Sequence, residues 1–210
     1  MEKNTFEWTC TGNRGRSEPS RLISLDRLEH YKLLDLINVI SSGTQVDDIK
    51  SGRARTVEYM DDIINRAVNR NKELGIYTPV ELDSLKIVQK NNSINQLNYF
   101  FQKATKVFSA EEYGHRQEML KYFNITGELK SEQEQTIARP ETIALFVMEP
   151  QHLIKVNEIY SGHSYKPEVI RDLNVSNTFG LGRDAYKAIF ERLMYKVPGA
   201  VDSALIQLHI

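Results

Sequence analysis

Apolar residues recur along most of this chain at intervals of three and four. Leu22, Leu25, Leu33, Leu36, Ile37 and Ile40 form one stripe that stops at Gly43. Val57, Met60, Ile64, Ala67, Val68 and Leu74 form a second, closed by Gly75. Such spacing predicts amphipathic helices, and glycine is their usual end signal. Three start signals follow. Thr78-Pro79-Val80-Glu81 offers a cap residue, a proline at the first helical position and a glutamate at the third, while Ser93-Ile94-Asn95-Gln96 and Ser109-Ala110-Glu111-Glu112 repeat the capping-box pattern. They predict helices over about 79–91, 94–108 and 110–123, joined by almost no loop.

Further on, Pro140 is expected to open an apolar helix through Met148, and Pro150 another ending near Gly162. A short helix is expected over 167–173, a longer one over 183–196, and a last one after Pro198. Strand-like alternation is nearly absent. The expected fold is therefore mainly α: an all-helical, bundle-like body with tightly connected helices. Residues 1–20, with Gly12, Asn13, Gly15, Ser17 and Pro19 and no apolar period, read as a flexible basic arm. Residues 21–126 read as an N-terminal helical body, 127–139 as an acidic linker, and 140–210 as a C-terminal helical subdomain.

Composition adds limits. A net charge of −1 with 26% charged residues excludes a molecule that attracts nucleic acid or anionic lipid as a whole. The single cysteine, Cys10, excludes an internal disulfide framework and a cysteine-rich zinc site, and suits a cytoplasmic, reducing setting. The longest apolar run is too short for a membrane span, so no membrane partner is expected.

Charge is nevertheless segregated. Residues 84–110 hold Lys86, Lys90, Lys103 and Lys106 and no acid, whereas 111–149 hold eight glutamates against four basic residues. The lysines surround Tyr99, Phe100 and Phe101, a pattern suited to a nucleic-acid backbone and its base faces. Ile94, Leu97, Phe101, Ala104 and Phe108 are spaced as a core stripe, which leaves Tyr99 and the lysines for the outer face. Residues 166–196 offer a helix-turn-helix-like stretch in which Arg183, Lys187 and Arg192 would face phosphates, though the link over 174–182 exceeds the usual turn of that motif. Arg14, Arg16 and Arg21 give the arm a phosphate-gripping character.

Catalysis finds less support. Gly180-Leu181-Gly182 is neither a Walker loop nor a dinucleotide fingerprint. Glu112 with His115, and Glu149 with His152, make two Glu-x-x-His pairs of the di-iron type, but Glu149 precedes Pro150 and straddles a helix start. Cys10 in a mobile arm lacks a base and an orienting group. No catalytic residue, metal ligand or cofactor is assigned. The expected function is a non-enzymatic helical binding protein, nucleic-acid-associated in a nucleoprotein or multi-subunit assembly. The alternatives are a protein–protein or self-associating scaffold and a metal-dependent helical-bundle enzyme.

Overall fold

The run Thr-Ile-Ala-Leu-Phe-Val at 142–147 is a strand, not a helix, and it changes the architecture of the whole chain. A computed structural model describes residues 3–52, 56–91, 94–130 and 132–210. Four strands, β1 (Asn4–Cys10), β2 (Ile37–Gly43), β3 (Thr142–Val147) and β4 (Val169–Asp172), form one parallel sheet in the order β2-β1-β3-β4. Eight helices are present among the described residues: α1 (Ser17–His30), α2 (Val46–Ser51), α3 (Val57–Asn69), α4 (Asn71–Leu74), α5 (Pro79–Asn91), α6 (Ile94–Tyr122), α7 (Pro150–Tyr160) and α8 (Arg183–Gln207). The fold is α/β, and the all-helical expectation is corrected. Parallel strands covered on both faces read as short apolar runs without alternation, and periodicity alone cannot distinguish them from buried helix.

The largest correction concerns the N-terminus. Residues expected in a flexible arm form the central strand β1 and the loop that follows it. Phe6, Trp8 and Cys10 point to one face, where Trp8 stacks on Phe146 with ring centroids 4.2 Å apart. Leu22 and Leu28 of α1 and Phe190, Leu193 and Val197 of α8 close that core. On the opposite face, Leu145 and Val147 pack against Val156 and Tyr160 of α7.

Thr9 and Glu7 also face that second side, and the segment expected as a linker supplies their partners. Thr136 Oγ1 lies 2.8 Å from the hydroxyls of Thr9 and Ser42, and Arg139 donates to Glu7 at 2.9 Å. Burial pushes the Glu7 carboxyl up, against the pull of Arg139, Ser42 and Thr142.

Residues 166–173, the supposed first helix of a helix-turn-helix, contain β4, so that motif is absent. Ser109 does not open a helix: the buried stripe continues through it and α6 runs 29 residues. Pro198 lies inside α8 instead of starting a new helix. Thr78 and Glu81 do form the reciprocal cap at the start of α5. Ser93, the expected cap of α6, lies outside the described residues.

The chain between β2 and β3 is largely a helical unit with its own core. Met60, Ile63, Ile64 and Ala67 of α3 interlock with Leu97, Phe101, Ala104 and Phe108 of α6 and with Leu85 of α5. Among the described residues no helix is long and apolar enough to cross a membrane.

Candidate active site

β1 neighbours β2 on one side and β3 on the other, and the connections from it run in opposite directions. The carboxyl end of such a central strand is a topological switch point, where parallel sheets form ligand crevices. Cys10 is the last residue of β1, and α1 begins at Ser17. The loop 11–16 therefore joins a strand end to the N-terminus of a 14-residue helix.

Four carbonyls between Cys10 and Arg16 are tied back to the protein. Cys10 O accepts from Thr44 N at 2.8 Å, Thr11 O from Gln45 N at 3.0 Å, Arg14 O from Arg116 Nη1 at 3.2 Å, and Arg16 O from Ser20 N at 3.1 Å. The N–H groups of residues 12–16 meet no acceptor among the described residues. A chain with its carbonyls turned outward and its amides free, set on a helix N-terminus, forms a concavity for an anion. Sequence makes the turn possible. Asn13 adopts φ of 51°, its amide donates to Ser41 O at 3.2 Å, and its Oδ1 accepts from Ser17 Oγ at 3.0 Å. Gly43, at the end of β2, is required because a Cβ there would stand 2.6 Å from Asn13 N and 2.8 Å from Thr11 O.

Cys10 is buried, and its Sγ lies 3.1 Å from Ser17 Oγ. One hydroxyl proton serves both contacts of Ser17, so it bonds Asn13 while the sulfur is a thiol and can turn to a thiolate. Arg16, 4% exposed, donates through Nη1 to Glu149 Oε2 at 2.5 Å and to Val175 O at 2.6 Å. Its Nε and Nη2 have no partner among the described residues, which leaves a fixed guanidinium edge for an oxyanion. Thr11 is positioned from α7. The Glu149 N–H donates to His152 Nδ1 at 3.1 Å, which places the ring proton on Nε2, 2.8 Å from Thr11 Oγ1. Burial, then the nearby Arg16 charge, lowers His152 to about 4, so this tautomer is held at neutral pH. The Thr11 hydroxyl accepts from it and keeps its own proton for donation.

Two further acids flank the loop. Burial works to raise Glu18, but hydrogen bonds from Arg21, Ser41 and Lys130 N outweigh it and hold the carboxyl below its usual range. Glu112, in the middle of α6, is buried, and its Oε1 lies 2.6 Å from where a Cβ on Gly15 would stand.

Of the residues expected to bind nucleic acid, only Arg14 and Arg16 meet at this site. Arg14 is half-buried, 3.4 Å from Ser109 Oγ, and Arg21 is spent on Glu18 and Glu128 O. Lys103 and Tyr99 converge on Glu81, at 2.6 and 2.7 Å. Lys86 pairs with Asp83, while Lys90 and Lys106 are exposed on the helical unit. Arg183 pairs with Glu118, Lys187 lies over the Tyr122 ring, and Arg192 is exposed on α8. The two Glu-x-x-His pairs do not converge, and no group of three or more metal-ligating side chains is found among the described residues.

No family model and no curated protein matches the chain. Solved structures do. A low molecular weight phosphotyrosine phosphatase from Vibrio cholerae O395 superposes with a TM-score of 0.56 at 13% identity, over 99% of each chain. Primo-1 superposes with a TM-score of 0.51 at 11% identity, over 94% of this chain and 95% of its own. At such identities the likeness is one of fold. It overturns the helical bundle and, with the site just described, the non-enzymatic nucleic-acid-binding role.

Thr11, Asn13 and Ser17 were given no functional role in the sequence reading; Cys10 was weighed as a nucleophile and set aside, Glu149 and His152 were weighed only as a metal-ligand pair, and Arg16 was read as a nucleic-acid contact. One signal was available: Cys10 and Arg16 bracket two glycines, directly after the alternating Phe6-Glu7-Trp8-Thr9. Alternation of that kind marks a strand, and a strand makes the glycines a loop rather than an arm.

Proposed function

We propose that this chain is a cysteine-dependent phosphomonoester hydrolase, with aryl phosphates of the phosphotyrosine type as its substrate class. The carrying observation is the loop 11–16: free amides between Cys10 at a strand end and Arg16 at a helix start. The fold likeness to a phosphotyrosine phosphatase supports the choice of ester. A phosphate seated in the loop receives the N–H groups of residues 12–16 and the free edge of Arg16, with the α1 N-terminus behind it. Cys10 Sγ then attacks phosphorus as a thiolate, forming a phosphocysteine that water hydrolyses. Arg16 and the amides hold the charge that develops on the equatorial oxygens.

The test is hydrolysis of phenyl phosphate and a phosphotyrosine peptide by the purified protein. Cys10→Ser is expected to abolish turnover while retaining phosphate binding, measured by calorimetry. Absence of hydrolysis by the wild-type protein, or turnover unchanged by Cys10→Ser, would remove this reading.

A further inference from the structure

Breaking a phosphate ester of a weakly acidic alcohol or phenol requires a proton at the departing oxygen. The loop 11–16 contains no carboxyl group, and neither does the segment 173–182 that meets Arg16 through Val175. Two of the carboxyls flanking the loop are committed elsewhere. Glu149 is ion-paired with Arg16 at 2.5 Å, and Glu18 is saturated by Arg21, Ser41 and Lys130 N. Glu112 differs from both. It comes from the helical unit, is 5% exposed, and presses its Oε1 against Gly15 in a space that any side chain at 15 would fill.

We propose that Glu112 is the proton donor of this site, delivering its carboxyl proton to the leaving oxygen and recovering one from the attacking water. The proposal rests on the phosphatase reading. In the first step the S–P bond forms, the P–O bond to the leaving group breaks, and the proton of Glu112 passes to the departing oxygen. In the second, water attacks phosphorus, its proton returns to Glu112, and the thiolate leaves as inorganic phosphate is released. The surroundings suit the role. Burial raises the carboxyl above its usual range, against Arg116 of its own helix and Arg14 and Arg16 of the loop. Tyr186 of α8 lies beside it, its buried hydroxyl directed at the carboxyl and working against the upward push of burial, and the charges of Glu112 and Arg14 also reach Tyr59 of α3. Glu149 and Glu112 are thus two acids in different environments, one ion-paired with a loop guanidinium and one with its carboxyl pushed up by burial.

Leaving-group dependence tests this. Glu112→Gln is expected to slow phenyl phosphate hydrolysis by roughly hundredfold or more, while 2,4-dinitrophenyl phosphate, whose phenoxide departs unaided, changes only several-fold. The alkaline limb of the kcat profile for phenyl phosphate should vanish in the variant. Equal losses on both esters, or no loss on either, would overturn the assignment and leave the phosphatase reading standing. Failure of the wild-type protein to hydrolyse either ester would instead remove that reading itself. Should Glu112→Gln not fold, Glu112→Asp withdraws the carboxyl by one methylene from Gly15 and must show the same selective loss.

Discussion

The sheet end and the helical unit bury different matter. Around loop 11–16, Asn13, Arg16, Ser17, Glu18, Ser41, Ser42, Thr44 and His152 are all buried. Within residues 57–108 none of the described buried residues is charged, and the core is Met60, Ile64, Leu97, Phe101 and their apolar neighbours. Buried polar groups cost stability unless every one is satisfied, and they fix geometry when they are. One region is thus a precise polar lattice with little margin, the other an apolar support. Two clasps are among the contacts that join them. Arg66 Nη1 donates to Phe179 O at 2.8 Å, and Arg70, held by Glu111 at 2.7 Å, reaches Gly180 O at 3.3 Å. Glu112 lies one residue beyond Glu111, so the support also places the proposed proton donor.

The contrast predicts that the two regions fail in different ways. Arg16→Ala should have the largest effect. It leaves Glu149 half-buried without its partner, a loss of about 3–5 kcal/mol for a buried pair, and it removes phosphate affinity together with activity. Urea unfolding and phosphate calorimetry check both; a variant of normal stability and affinity would break the comparison.

Leu97→Ala, in the apolar core, should lower stability by about 2–5 kcal/mol through the cavity it leaves. Below its unfolding transition kcat should be unchanged, and a large fall in kcat would show that the support is not passive.

The smaller effect is a pH dependence. His152 binds a proton in the unfolded chain near 6.5 but resists it in the folded protein until about 4. Its contribution is therefore complete above pH 6.5 and is lost as the pH falls towards 4, to a limit of about 3 kcal/mol at 1.4 kcal/mol per unit. Denaturant midpoints at pH 7 and 4.5 should diverge in the wild-type protein and draw together in His152→Gln; equal divergence in both would place the titration elsewhere.

The helical unit was legible in the sequence because its information is local. Thr78 and Glu81 cap α5, and Gly75, with φ of 59°, terminates α4 in the left-handed conformation that glycine adopts without strain. The sheet was not. β3 is six residues with an apolar run that suits a buried helix equally well, and β4 is only four residues long. Their partners lie far away in the chain: Thr5 pairs with Thr142, and Ala144 with Val169. The site inherited that opacity. Arg16 finds Glu149, Thr11 finds His152 and Gly15 finds Glu112 only after the strands have assembled.

Gly43 has a consequence for assembly itself. It stands opposite Cys10 in the β1–β2 ladder, and the loop closes over it with no room for a Cβ. A slip of β2 by one residue would bring Ser42 or Thr44 into that place and turn every neighbouring side chain to the wrong face. The loop could not then close. The loop 11–16 is thus a gauge of strand alignment, and a mispaired copy of this protein would lose the proposed anion site wholly instead of partly.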